Sequence, residues 1–125
     1  MKVKITTYID EEKLFAEQYD CTFLEEKIVD TLVYIDKNKK KIKITVDKLK
    51  ERVTIEKDNL ITKIAYTREK SNYSTPYGAL KLESQLVKLE KKQRGSFIVF
   101  DIVYNLYFNK EDKQQNKLRL QIKNN

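Results

Sequence analysis

The chain contains no histidine, one cysteine, one proline and two glycines in 125 residues. Without histidine there can be no Ser-His-Asp or Cys-His catalysis and no imidazole metal site. A lone cysteine cannot close an internal disulfide, which points to a reducing, cytoplasmic setting. Two glycines are too few for a glycine-rich loop that cradles phosphate. The acids show no EF-hand-like spacing, so neither a metal nor any other cofactor is expected. No apolar run approaches the roughly 20 residues of a membrane helix, and Met1–Asp10 alternates lysine with β-branched residues rather than reading as a signal peptide. No membrane partner is therefore expected.

What is present is charge and alternation. Lys and Arg number 26 against 19 Asp and Glu, a net charge of +7, and 40% of residues are hydrophobic. The sign permits attraction to nucleic acid. However, the lysines sit mostly on every second position, as Lys2 and Lys4 do around Val3 and Lys41 and Lys43 around Ile42. That is the solvated face of a strand, where lysine also blocks edge-to-edge aggregation. No RNP-type motif, GXXG loop or zinc knuckle accompanies the charge, so nucleic acid is not the expected partner. The RNA-binding alternative rests on the densest basic run, Lys37, Lys39, Lys40 and Lys41, which otherwise reads as a hairpin turn.

Period-2 alternation dominates the chain and marks half-buried strands. Val3, Ile5, Thr7 and Ile9 share a face, as do Phe15, Tyr19, Cys21 and Phe23, with Glu17 interrupting the row. Ile28–Ile35 is a dense β-branched run, and Ile42, Ile44 and Val46 alternate with Lys43 and Thr45. Shorter strands follow at Val53–Ile55 and Leu60–Tyr66. Leu80, Leu82, Ser84 and Leu86 alternate, then Val87 and Leu89 take the opposite parity, which predicts a bulge between Gln85 and Val87. Glu83–Arg94 has helical propensity, but the alternation leading into it favours a strand. Ile98, Phe100, Ile102, Tyr104, Leu106 and Phe108 form one apolar row, and Leu118, Leu120 and Ile122 another. The expectation is a single all-β domain over residues 1–125, an antiparallel up-and-down barrel of about eight to nine strands.

The second half carries a recognisable pattern. Tyr73-Ser74-Thr75-Pro76-Tyr77-Gly78 leads into Ala79-Leu80-Lys81-Leu82. Val103-Tyr104-Asn105-Leu106 follows within Phe97–Phe108, and Asn116-Lys117-Leu118-Arg119-Leu120-Gln121-Ile122 comes near the end. This resembles the YwiB-like family of small bacterial proteins of unknown function. The resemblance implies a calycin-like (lipocalin-like) barrel and a bacterial cytoplasmic setting, and it implies no reaction. The chain departs from the family where an Arg-x-Gly turn is favoured: Ile55-Glu56-Lys57-Asp58-Asn59 has neither residue.

Several residues stand out as candidate ligand contacts. Glu17, if inward, is a desolvated carboxylate in need of a cation, and Arg68 is its candidate partner. Tyr73 and Tyr77 flank the Pro76 corner with Thr75 between them, and each tyrosine offers an apolar body with a polar tip. Tyr104 lies in the inward row. Acid-base chemistry would need Glu17 in a cleft beside Tyr73, Tyr77 or Arg68, and no enzymatic activity is expected. The expected role is binding, either of a small apolar or amphipathic ligand inside the barrel or of a partner on its surface. The bulky inward candidates Phe100, Tyr104, Phe108, Leu82 and Leu120 make a filled interior the competing possibility. A homodimer would use the mixed row Phe97, Val99, Val103 and Tyr107.

Overall fold

A computed structural model of the chain describes residues 1–75, 78–109 and 112–123. The alternating segments form strands wherever one parity can be buried. They are β1 (Lys2–Ile9), β2 (Glu12–Glu25), β3 (Val29–Ile35), β4 (Lys41–Asp47) and β5 (Arg52–Lys57). The second half contributes β6 (Leu60–Ile64), β7 (Glu69–Thr75), β8 (Gly78–Arg94), β9 (Phe97–Tyr107) and β10 (Lys113–Lys123). All described pairings are antiparallel, in the order β6-β5-β4-β3-β2-β1-β10-β9-β8-β7. The first and last strands pair directly, from Lys2 with Lys123 to Ile9 with Asn116. There is no helix among the described residues.

The all-β up-and-down sheet is thus as read from the alternation, with two corrections. The strands number ten rather than eight or nine. The additional strand is β7, Glu-Lys-Ser-Asn-Tyr-Ser-Thr, whose interior parity includes Ser71 and Tyr73 and so leaves no greasy alternation to read. The second correction is closure. Among the described residues no ladder joins β6 to β7, so the sheet does not close as a barrel.

Side chains bridge the open joint instead. The Ser71 hydroxyl accepts the Lys63 N–H at 2.9 Å, Ser84 Oγ donates to the Lys63 carbonyl at 3.0 Å, and Thr62 Oγ1 donates to the Asn72 carbonyl at 3.2 Å. Beyond β7, the unpaired edge of β8 is met by the Ala65 and Tyr66 carbonyls, which accept from the Leu86 N–H and from Gln85 Nε2. The physical reason is that hydroxyls occupy the backbone groups a ladder would pair: Ser71 and Ser84 hold the N–H and carbonyl of Lys63 on β6, and Thr62 holds the Asn72 carbonyl on β7.

The bulge falls where parity predicted it: the β8–β9 register shifts between Leu86 and Lys88, and Val87 turns outward, 45% exposed. Scarce glycine leaves several turns to L-residues. Asp10 and Glu11, both at positive φ, make the β1–β2 turn, and Lys39, Glu51 and Asp58 also sit there. Each such residue costs on the order of 1–2 kcal/mol relative to an ordinary conformation. The Pro76-Tyr77 corner lies outside the described residues.

The core is the interior parity of these strands. Val3, Ile5, Leu32, Ile42, Ile44, Val46, Val53, Ile64, Leu86, Phe100, Ile102, Leu120 and Ile122 form one buried cluster. Phe100 stands at its centre with Phe23 edge-on at 6.1 Å. The waist of the molecule is therefore filled. Of the bulky residues expected inside, Phe108 and Leu82 are not in this cluster, and Phe108 is exposed past the end of β9.

Candidate functional site

The alternating strand directions define two ends. The upper end carries the β1–β2, β3–β4 and β5–β6 turns; the lower end carries the chain termini and the β2–β3, β4–β5 and β8–β9 turns. Each end has a recess above or below the filled waist.

The upper recess has a volume of about 470 Å³. Ile5, Ile42, Ile44, Ile55 and Leu118 give it apolar walls, and Glu17, Tyr19, Tyr34, Asp36, Lys57 and Tyr104 add polar groups. Parity explains the set. Ile5 pairs with Glu17, Ile42 with both Tyr34 and Lys57, and Ile44 with Ile55, so all of them project to the same face.

Glu17 does point inward, and its partner is not Arg68. One carboxylate oxygen accepts from Lys37 Nζ at 2.9 Å and the other from the Tyr19 hydroxyl. The Tyr19 hydrogen bond, then the Lys37 ammonium, hold the Glu17 carboxyl below its usual value. Burial, followed by that same bond, pushes Tyr19 up to about 12. Tyr19 stacks on Tyr34 with centroids 5.1 Å apart, and burial raises Tyr34 further still. Asp36 is also spent: one oxygen accepts the N–H groups of Asn38 and Lys40 at 2.9 Å, and the other faces Lys57 at 3.7 Å.

On the β7–β10 wall, Tyr104 is partly buried against the core and its hydroxyl raised by that burial, with Asn116 Nδ2 donating to it at 3.4 Å. Tyr73 lies beside Tyr104 and Ser84, and burial pushes it up to about 12. The Ser84 proton goes to the Lys63 carbonyl; the Ser84 hydroxyl beside Tyr73 offsets part of that rise, although the buried Tyr73 Oη makes no well-aligned hydrogen bond among the described residues.

The structure therefore gathers Glu17 and Tyr104 at one recess, with Tyr73 on the adjoining wall. Arg68 is not with them. It lies on the outer face, its guanidinium 3.7 Å above the Tyr107 ring and 2.9 Å from Glu83. Acid-base pairing of Glu17 with Arg68 has no geometric basis. The backbone of Thr75 pairs with Gly78, and Tyr77 lies outside the described residues. The basic run is a turn organised by Asp36, with Lys37 spent on Glu17 and Lys40 on Asp58 at 3.1 Å. The row read as a dimer face is overlain by cations: Lys123 stands over Phe97, Arg68 over Tyr107, and Arg119 grips Asp101 at 2.7 Å.

Sequence reading missed the lower recess, which is smaller, about 240 Å³, and lined by Val46, Lys48, Glu51, Leu89, Lys91 and Phe100. Above it sits Asp30, 1% exposed, between Lys91 Nζ at 2.8 Å and Lys48 Nζ at 3.0 Å, with Glu25 also on Lys91. Asp30 shares parity with Leu32 and Tyr34, the signal that singled out Glu17 in its own row. No three Cys, Asp or Glu residues gather as a metal set among the described residues.

The tyrosines give a direct check on this geometry. A tyrosine whose pKa is raised on folding stabilises the folded state below pH 10, and the contribution is lost as pH climbs through the raised value. Tyr19, Tyr34, Tyr73 and Tyr104 should ionise above the ordinary tyrosine value, with Tyr19 and Tyr73 near 12. Tyrosinate absorbance from these four should appear only well above pH 10, and unfolding should accompany it. A single phase near pH 10 in the folded protein would contradict the buried placement.

A small all-β protein results, built on one up-and-down sheet with a filled waist and a recess at each end. The chain belongs to the family described as a domain of unknown function (DUF1934), whose model matches residues 2–120. A crystal structure of the ywiB protein from Bacillus subtilis shares the fold, with a TM-score of 0.73 over 99% of this chain and 89% of that one. At 11% identity that likeness speaks to fold alone, and it bears out the YwiB-like resemblance. A search of curated proteins finds no match. No helix among the described residues is long and apolar enough to cross a membrane.

Proposed function

We propose that the protein binds a small amphipathic molecule in the upper recess, without catalysis, in a cytoplasmic setting. The observation that carries this reading is the recess itself: about 470 Å³ of apolar-walled space on the interior face, bordered by tyrosines and paired charges. That volume lies within the roughly 300–1,000 Å³ of small-molecule sites, which are mostly apolar with a few fixed polar groups. The Glu17–Tyr19–Lys37 and Asp36–Lys57 contacts order the rim without a ligand. The free thiol of Cys21, raised by burial, suits a reducing compartment and is a poor nucleophile.

The test uses N-phenyl-1-naphthylamine, a neutral amphipathic dye that brightens in apolar surroundings. The protein should enhance its fluorescence. Thr7→Trp, which places a large ring on the half-buried lining, should weaken binding at least tenfold with the sheet retained by circular dichroism. Glu51→Trp at the lower recess should leave binding unchanged. No enhancement, or full binding by Thr7→Trp, overturns the proposal.

A further inference from the structure

We infer a second binding site, on the outer face of β7 and β8, for a small organic molecule bearing a phosphate monoester. It lies apart from the upper recess and does not depend on it. The end of a ladder sets its place. The β8–β9 pairing stops at Glu83 and Tyr107, and from Leu82 back to Gly78 β8 has only β7 beside it among the described residues. A recess of about 300 Å³ lies where β9 ends, lined by Arg68, Lys70, Lys81, Glu83 and Tyr107, with Leu82 and Phe108 as its apolar part. Register explains the polar set. Glu83 stands opposite Lys70 on one flank and Tyr107 on the other, and Lys81 is two residues along the same strand, so these side chains share the outer face. Ser71 and Ser84, of the opposite parity, are buried.

Charge then selects the ligand. Glu83 is the one acid among the described lining residues, and its carboxylate is taken by Arg68 at 2.9 Å. Lys70, directly across from Glu83, and Lys81 make no ion pair among the described residues. Farther along the outer face of β8 the lysines are matched, Lys88 and Lys92 both meeting Glu90. Three cations against one acid leave two positive charges in excess at the recess. Arg68 is held in place, its guanidinium 3.7 Å above the Tyr107 ring while the Tyr107 hydroxyl donates to Gln85 Oε1 at 3.1 Å. One carboxylate does not use all five guanidinium donors, and an arginine already fixed loses little freedom on meeting a second anion. A phosphate monoester is a dianion above its second pKa of about 6 and presents three acceptor oxygens, so it answers both surplus charges. A carboxylate or a phosphodiester carries one negative charge and answers one. Phe108, 51% exposed, and the half-buried Leu82 give the organic part of the ester an apolar surface. A volume near the small end of the roughly 300–1,000 Å³ range suits a small ester rather than a polymer.

Phenyl phosphate, benzoate and benzylammonium share one ring and differ in charge, and isothermal titration at pH 8 compares them. Phenyl phosphate should bind at least tenfold more tightly than benzoate, and benzylammonium should give no binding heat. Lys70→Gln and Lys81→Gln, both at exposed positions, should each weaken phenyl phosphate severalfold with circular dichroism unchanged. Thr7→Trp, on the lining of the upper recess, should leave that affinity as it is, which separates the two sites. Absence of phenyl phosphate binding, benzoate binding equally well, or full affinity in the Lys70→Gln/Lys81→Gln double variant would overturn the assignment. Loss of affinity in Thr7→Trp alone would place the ester in the upper recess and overturn it too. Tighter, lysine-dependent binding of an oligouridylate without a terminal phosphate would replace the small ester with single-stranded nucleic acid.

Discussion

Replacing Asp30 with alanine should cost about 3 kcal/mol of folding stability, seen as a drop in melting temperature on the order of 10 °C. Asp30 is 1% exposed, and its carboxylate meets Lys91 from β8 and Lys48 from the β4–β5 loop. Removing one partner of a buried ion pair typically costs about 3–5 kcal/mol because the remaining charge is left without compensation. Here both lysine side chains keep 27% of their surface exposed, so water recovers part of the loss and the lower end of the range applies. The contact is also mechanical. Lys91 lies on the stretch of β8 that extends past β7, and through Asp30 and Glu25 it ties that edge to β3 and β2.

The pH dependence of the Lys91 contribution follows from its sign. Burial opposes the Lys91 charge, but Asp30 and Glu25 outweigh it and raise the ammonium above its ordinary value. A raised lysine stabilises fully below its unfolded pKa of 10.5 and loses the contribution as pH rises through the folded value. The contribution from Lys91 is therefore intact at neutral pH and lost only in strong alkali. Asp30→Val combined with Lys91→Met removes both charges and should recover part of the loss, since an apolar pair can replace a buried ionic one. A cost below about 1 kcal/mol for Asp30→Ala would show the cluster to be an ordinary surface pairing.

Legibility in the sequence followed the chemistry of each strand. Where interior parity is aliphatic or aromatic, as along Val3–Ile5, Ile42–Val46 and Ile98–Leu106, alternation exposed both strand and face. The bulge near Leu86 was visible because a single residue reverses parity. β7 and the first half of β10 were not visible, because Ser71, Gln114 and Asn116 occupy interior positions where a hydroxyl or amide carries no period-2 contrast. Glu17 was legible as an acid breaking an apolar row, but its partner was not. Lys37 reaches it from the β3–β4 turn, a proximity set by the pairing of β2 with β3 rather than by spacing along the chain. The open β6–β7 joint was equally hidden, since alternation does not mark the hydroxyls that occupy its backbone groups.

Phe100→Ala should be the most damaging apolar truncation, at about 3–5 kcal/mol, because it removes the ring that fills the waist and leaves a cavity that rigid strands collapse poorly. Phe100 is 1% exposed, edge-on to Phe23, and paired with Leu120 and Lys91 on the flanking strands. The Lys91 ammonium also lies 5.6 Å above its ring, so the truncation removes a cation–π contact as well as packing. Its position below Ile102 and Tyr104 in one row makes it a partition between the recesses, lining the lower one and absent from the upper. Phe100→Leu retains most of the volume and should cost about 1.5 kcal/mol or less. Urea unfolding with an unchanged slope would attribute both losses to the folded state. If Phe100→Ala costs under about 1 kcal/mol, the waist is not close-packed and the two recesses are one continuous channel. A full loss with undiminished dye binding in the surviving folded fraction would show that the upper recess is shaped by Ile5, Ile42, Ile44 and Tyr104 independently of the floor beneath them.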